Sequence, residues 1–247
     1  MAYTALLEDG TAAYPAAQAR PEERADFLRK VYLLLFAGIT TFAMSAALPV
    51  YGAMTNAPVL GGILKATLAV PPLLMLLLFL GASFAVHAVS MVKGLNVVAF
   101  FLFAAFFGVF TSGLILVGLQ QGGIPIIMNA AGLTVLVFGS LTCYVLISGK
   151  DFSFMGGFLT VGTILLLAVI VVALVGQAFF SWEISGLSIG ISAISVLLFS
   201  LYVLYDTSMV LHRYATDMVV PAALALLVDF VILFRNILFL LMNMRRE

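Results

Sequence analysis

From Val31 to Met244 the chain is a succession of seven apolar segments separated by short links. Each is near the ~20 residues that an α-helix needs to cross the hydrocarbon core of a bilayer. In lipid the backbone must satisfy its own hydrogen bonds, which a helix does. The expected spans are Val31–Val50, Ala66–Ser90, Leu95–Leu119, Ile124–Ile147, Phe154–Phe179, Leu187–Leu211 and Val219–Met244. The short links make neighbouring spans antiparallel, so the fold class is an all-α integral membrane protein of seven transmembrane helices. Only 9% of the residues are charged, against about 25% in soluble domains. The formal net charge of zero gives no support to nucleic-acid binding.

Residues 1 to 30 form the one extended polar stretch and read as a cytoplasmic tail that ends in the interfacial pair Arg29-Lys30. The seven-helix domain occupies the rest, 31 to 247. Ser45-Ala46-Ala47 resembles a signal-peptidase site, but a 30-residue charged leader is too long for a signal peptide. With the N-terminus inside, the inner flanks hold Arg20, Arg24, Arg29, Lys30, Lys93, Lys150 and Arg213, and the outer flanks hold Lys65, Arg245 and Arg246. That excess favours an N-terminus in the cytoplasm and a C-terminus on the periplasmic or extracellular side. Trp182 then sits at the outer interface. The single cysteine, Cys143, cannot form an intrachain disulfide and reads as a small core residue.

Two aspartates interrupt the last two spans: Leu204-Tyr205-Asp206-Thr207 and Leu227-Val228-Asp229-Phe230. An ionised carboxylate at the centre of a bilayer costs roughly 3 kcal/mol or more, so such residues face a protein interior and mark function. At 1.5 Å per residue, Asp206 lies about 7–10 Å from the inner end of span six and Asp229 about 13–15 Å into span seven. The two carboxyls are therefore at similar depths in the inner half. On span six, Ser188, Ser192, Ser195, Tyr202 and Asp206 share a face; on span seven Asp229, Asn236 and Asn243 do. On span two, Ser83, His87 and Ser90 form a third stripe, and together the three suggest a shared polar path. His87, Tyr202, Ser195 and Asn236 are the accessory candidates around Asp206 and Asp229. Small residues also serve close helix packing, for which Gly186-x-x-x-Gly190 is a motif by itself. Arg235 points about 120° from Asp229 at 100° per residue and takes no role in this reading.

Facing carboxylates in a low dielectric share a proton, which makes them a pH-sensitive latch between helices. Deprotonated, the pair repels or recruits a cation, and its hard oxygens suit a transient Ca²⁺. Enzyme readings fail on inventory. There is no late-span lysine for a retinal Schiff base, only two histidines for zinc, and no phosphate-binding glycine loop. An aspartyl intramembrane protease is the enzyme alternative, but Asp229 follows Leu226-Leu227-Val228 rather than Gly-x-Gly. No cofactor is expected.

Leu204-Tyr205-Asp206-Thr207 and Leu226-Leu227-Val228-Asp229-Phe230-Val231-Ile232-Leu233-Phe234 resemble the Bax-inhibitor family, also called the transmembrane Bax inhibitor motif family. Phe27-Leu28-Arg29-Lys30-Val31-Tyr32 resembles the entry to its fold, and Lys150-Asp151-Phe152-Ser153-Phe154-Met155-Gly156-Gly157 resembles its bacterial YccA-type branch. The resemblance implies a central seventh helix wrapped by the other six. It also implies a pH-sensitive Ca²⁺ leak of the inner membrane, controlled by an aspartate pair whose positions Asp206 and Asp229 match. The family's basic latch partner on helix two has no counterpart, since span two offers His87 and no arginine. For the YccA-type branch the resemblance implies a modulator of an FtsH-type membrane protease in membrane-protein quality control. The tail would then be the protease's natural handle.

Overall fold

The computed structural model describes residues 15–90, 92, 94–183 and 185–244. The first fourteen residues of the expected tail, with Lys93, Arg245 and Arg246 of the charge count, lie outside the described residues. Among the described residues, 3₁₀ turns at Ala16–Gln18 and Ser153–Met155 accompany seven α-helices: α1 Pro21–Met54, α2 Pro58–Ala69, α3 Pro72–Val89, α4 Leu95–Ser148, α5 Gly156–Phe180, α6 Ser185–His212 and α7 Val219–Met244. Six of them, all but α2, are long and apolar enough to cross a membrane.

The helix limits follow local chemistry. Helices α1, α2 and α3 each open with proline in the first turn, where its missing N–H is no loss and its φ is already helical. The second expected span crosses such a boundary: α2 stops at Ala69, and Pro71-Pro72 restart the chain as α3. Proline before a helix forces its predecessor out of the helical region, so Ala66–Ser90 is two helices. Helix α1 likewise begins at Pro21, with Glu22 and Glu23 in its first turn. The last ten residues of the expected tail are thus its opening turns, and Phe27 is already buried there.

Helix α4 contains the third and fourth expected spans. Its 54 residues are two helices joined at Gly123, whose φ of 66° and ψ of −165° no side chain other than glycine's readily adopts, with Pro125 just beyond. The last expected span, Val219–Met244, coincides with α7.

Helix α7 is the most enclosed of the six candidate spans. Over half (56%) of its most apolar window is buried, against 6% for α3. It packs against α1, α4 and α6, while α5 leans on α6 and α3 touches α4 and α5. The outer surface is apolar, with Phe36, Phe84, Leu136, Ile147 and Phe158 well exposed. A soluble protein would hide such side chains, whereas a bilayer accepts them.

Close helix contacts fall on glycines of α1 and α4. A Cβ on Gly108 would collide with Ser45 Oγ and the Phe42 carbonyl, and one on Gly38 with the Phe100 ring. Gly186 and Gly190 meet nothing within 4 Å. The spacing alone therefore misidentified the contact, because a small-residue motif works only where a second helix lies over it.

Candidate functional site

The α6–α7 contact brings the two aspartates together. Asp206 and Asp229 are side-chain hydrogen-bonding neighbours. Asp229 is 2% exposed, and Asp206 is partly buried. As carboxylates both groups only accept hydrogen bonds, and Asp229 Oδ2 is buried with no donor on it among the described residues. One shared proton turns this acceptor–acceptor contact into a hydrogen bond across the two helices.

The phenols of Tyr202, Tyr205 and Tyr214 lie within electrostatic reach of Asp206, and a cluster of hydroxyls begins one residue along α6. Thr207, next to Asp206, is fully buried and its Oγ1 lies 3.5 Å from that of Thr142 on α4. Tyr32 on α1 approaches Thr207. Tyr214, in the link between α6 and α7, is close enough to both aspartates that burial first, and their carboxyls second, push its phenol above its ordinary value. Only Thr207 was legible from its position beside Asp206. Tyr32, Thr142 and Tyr214 come from other parts of the chain, and no local pattern marks them.

The link below α6 is tied down from the side. Asp151 accepts hydrogen bonds from the Ser153 amide (2.8 Å) and the Ser208 hydroxyl (3.3 Å), and pairs with Arg213 at 3.3 Å. Ser208 Oγ also accepts the Phe152 amide at 2.8 Å. Arg213, counted from sequence as a flank charge, is therefore part of a staple, and His212 lies against the same Ser208. The His212 ring makes its closest contact, 3.0 Å, with the Ser208 carbonyl.

Above the aspartates lies a cavity of about 430 Å³ among α3, α4, α5, α6 and α7. Ser192, Ser195, Thr163, Asn236 and Arg235 supply its polar lining. Tyr202 links this level toward the pair, its hydroxyl 2.8 Å from that of Thr163 on α5. Three of the accessory candidates thus belong to one polar region: Ser195 and Asn236 line the cavity, and Tyr202 sits below it.

His87 does not join them. It is exposed on α3, with Nδ1 2.8 Å from the Ser83 carbonyl of its own helix. Ser83 and Ser90 also bond back to α3 carbonyls, and α3 presents only apolar residues to the cavity, Phe79 among them. The stripe on this helix satisfies itself because a hydroxyl or imidazole can reach a carbonyl one turn back without a partner. Thr163 and Arg235 take the place expected for it. Cys143 is also exposed rather than in the core.

Among the described residues no group of three or more His, Cys, Asp or Glu could hold a metal ion. A cation at Asp206 and Asp229 would find only two carboxyls, fewer than the six to eight oxygens of a Ca²⁺ storage site.

A family model described as "Inhibitor of apoptosis-promoting Bax1" matches residues 24–246. The chain is 42% identical over 120 residues to an uncharacterized protein of Pseudomonas aeruginosa, covering 47% of this chain and 50% of that one. It is 31% identical over 125 residues to "Modulator of FtsH protease YccA" of Escherichia coli, covering 51% and 54%. Its match to a "BI1-like protein" of Arabidopsis thaliana is 31% over 220 residues, covering 86% and 78%. The chain spans about half the length of the two bacterial relatives it matches.

Proposed function

The chain belongs to the Bax inhibitor family, and on that footing we propose that it is a pH-sensitive leak for cations, Ca²⁺ among them, gated by Asp206 and Asp229. The observation that carries this reading is the buried carboxyl contact between α6 and α7. Protonated, the contact is a hydrogen bond that holds the helices together. Deprotonated, it places two negative charges in a low dielectric, where they repel or draw in a cation. The reading is of a transport protein of the bacterial inner membrane, with no catalytic chemistry and no resident cofactor.

The architecture proposed with it has seven crossings around α7. A straight 54-residue helix would be about 81 Å long, far more than the ~30 Å hydrocarbon core. The break at Gly123 therefore serves to fold α4 into two crossings. Helix α2, at 12 residues, is about 18 Å long and too short to cross. Seven crossings put the termini on opposite sides, with the N-terminus in the cytoplasm.

A second reading, a non-transporting modulator of an FtsH-type protease, draws on the name of the Escherichia coli relative. Ca²⁺ entry into proteoliposomes between pH 5 and 8 separates the two. Under the leak reading, flux rises with pH as the shared proton leaves, and Asp206→Asn with Asp229→Asn flattens that dependence. Flux no greater than in protein-free liposomes at every pH would reject the leak. The aspartates would then be structural, and the modulator reading would be the one to pursue.

A further inference from the structure

Arg235 is a charged residue that the aspartate pair does not use. It lies six residues beyond Asp229 on α7, about 9 Å along the axis, and about 14 Å from the helix's last described residue. That is too deep for its side chain to reach the interface by snorkelling. Arg235 makes no hydrogen bond or ion pair among the described residues, and it lines the 430 Å³ cavity. A cation within the membrane is costly and ordinarily faces a partner or a water-filled space. The rest of the wall is mainly apolar, with Phe79, Phe107 and Phe110 on one side and Leu166 and Ile170 on the other. Such a lining, with a few polar groups at one place, is the form of a small-molecule site, and the volume falls in the usual range of about 300–1,000 Å³.

The cavity continues toward the start of α3 and the end of α5. A second cavity of about 270 Å³ lies between the start of α3 and the end of α5, and it shares Pro72 and Leu174 with the first. Helix α3 is the least buried of the candidate spans. A ligand that reaches Arg235 past this mainly apolar wall has an apolar body, and the group that the guanidinium recognises is anionic.

We propose that this cavity binds a long-chain carboxylic acid, with the carboxylate on Arg235 and the acyl chain among the phenylalanines of α3 and α4. Charge complementarity sets the head group: a guanidinium donates two parallel hydrogen bonds to a carboxylate. Depth favours a free acid over a phospholipid, whose head group is anchored at the membrane surface. The acid crosses the lipid in its neutral form and ionises when it meets the fixed positive charge. Ser192, whose hydroxyl has no partner among the described residues, lies on the same wall and can donate to the second oxygen. This site stands whether or not the aspartate pair gates a leak.

The test uses the full-length protein in lipid nanodiscs and the displacement of a fluorescent fatty acid. Oleate should displace it saturably, and methyl oleate should be weaker by about tenfold or more, because it lacks the charge that Arg235 recognises. Arg235→Gln should weaken oleate by a similar factor. Ile170→Trp, which fills the cavity while leaving Arg235 in place, should abolish binding and keeps the test open if Arg235→Gln does not fold. Equal binding of oleate and its methyl ester, or wild-type affinity in either folded variant, would overturn the proposal. So would an absence of saturable oleate binding above empty nanodiscs.

Discussion

Gly108 shows how little room the α1–α4 contact leaves. The Ser45 hydroxyl that a Cβ at Gly108 would strike is held by hydrogen bonds to the Thr41 and Phe42 carbonyls at 2.8 and 3.0 Å. The second obstacle, the Phe42 carbonyl, is backbone. Neither can rotate away, so Gly108→Ala should destabilise the protein by about 1–3 kcal/mol, in the range of overpacked cores. Gly186→Ala and Gly190→Ala, where nothing lies within 4 Å, should be neutral or slightly stabilising, since alanine is the better helix former. Thermal unfolding of the three variants in one detergent makes the comparison. An equal loss at Gly108 and Gly190 would mean that the α1–α4 packing described here is wrong.

Among the elements, the link between α4 and α5 does more than connect them. Its Asp151 is held below the usual carboxylate range, chiefly by the hydrogen bond from the Ser153 amide, then by the Ser153 hydroxyl, with Arg213 and His212 adding attraction. Burial works in the other direction, by more than either of those attractions. A carboxyl lowered in the folded state stabilises above its unfolded pKa of about 3.9, and that contribution is lost as pH falls through the lower folded value. Asp151→Asn should therefore cost more stability at pH 7 than in acid. The effect should stay below about 1 kcal/mol, because both partners of the ion pair are largely exposed and water screens them. Unfolding midpoints of wild type and variant at pH 7 and pH 3 check this; a gap that widens in acid would contradict the staple. Ser208, which Asp151 holds, is two residues from Asp206, so the same link steadies the C-terminal end of α6.

For the whole molecule, the end of the bundle that carries the α6–α7 link is closed by a segment from far away in sequence. The Ala16 amide donates to the Tyr214 carbonyl at 2.9 Å, Pro15 pairs with Ala215, and Ala16 is fully buried. Residues 15–19 thus brace the α6–α7 link, beside Tyr214 and below the aspartates. An extracting protease that engaged the N-terminus would have to take hold ahead of Pro15. Under the modulator reading, deleting residues 1–14 should reduce recovery of the protein with an FtsH-type protease. Extending the deletion through Ala19 should cost a further ~1–2 kcal/mol, from a buried backbone hydrogen bond and its packing. A deletion through residue 28 would also remove Phe27, which is 1% exposed, and so would confuse folding with binding. Unchanged stability on extending the deletion through Ala19 would mean that residues 15–19 do not brace the α6–α7 link.

What the sequence determined by itself was whatever depends on one helix at a time. Segment length and hydropathy are properties of a single segment in lipid, so the membrane class, the limits of α7 and the cost of Asp206 and Asp229 were legible. Helical period was equally local, and it placed Ser195 and Asn236 on faces that do line one cavity. The tertiary structure decided which faces meet. Two stripes of similar chemistry, on α3 and α6, look alike, and Ser83 and Ser195 both bond back to their own helices; packing shows that His87 of the first is exposed while Ser195 of the second is buried against a cavity. Gly186 and Gly190 have the spacing of a contact, and Gly108 has the contact. Arg235 carried no role while only its angle from Asp229 was known, because the cavity it faces is built by five helices. Polar groups cost little where they bond to their own turn and much where they are left buried, and only the assembled bundle distinguishes the two.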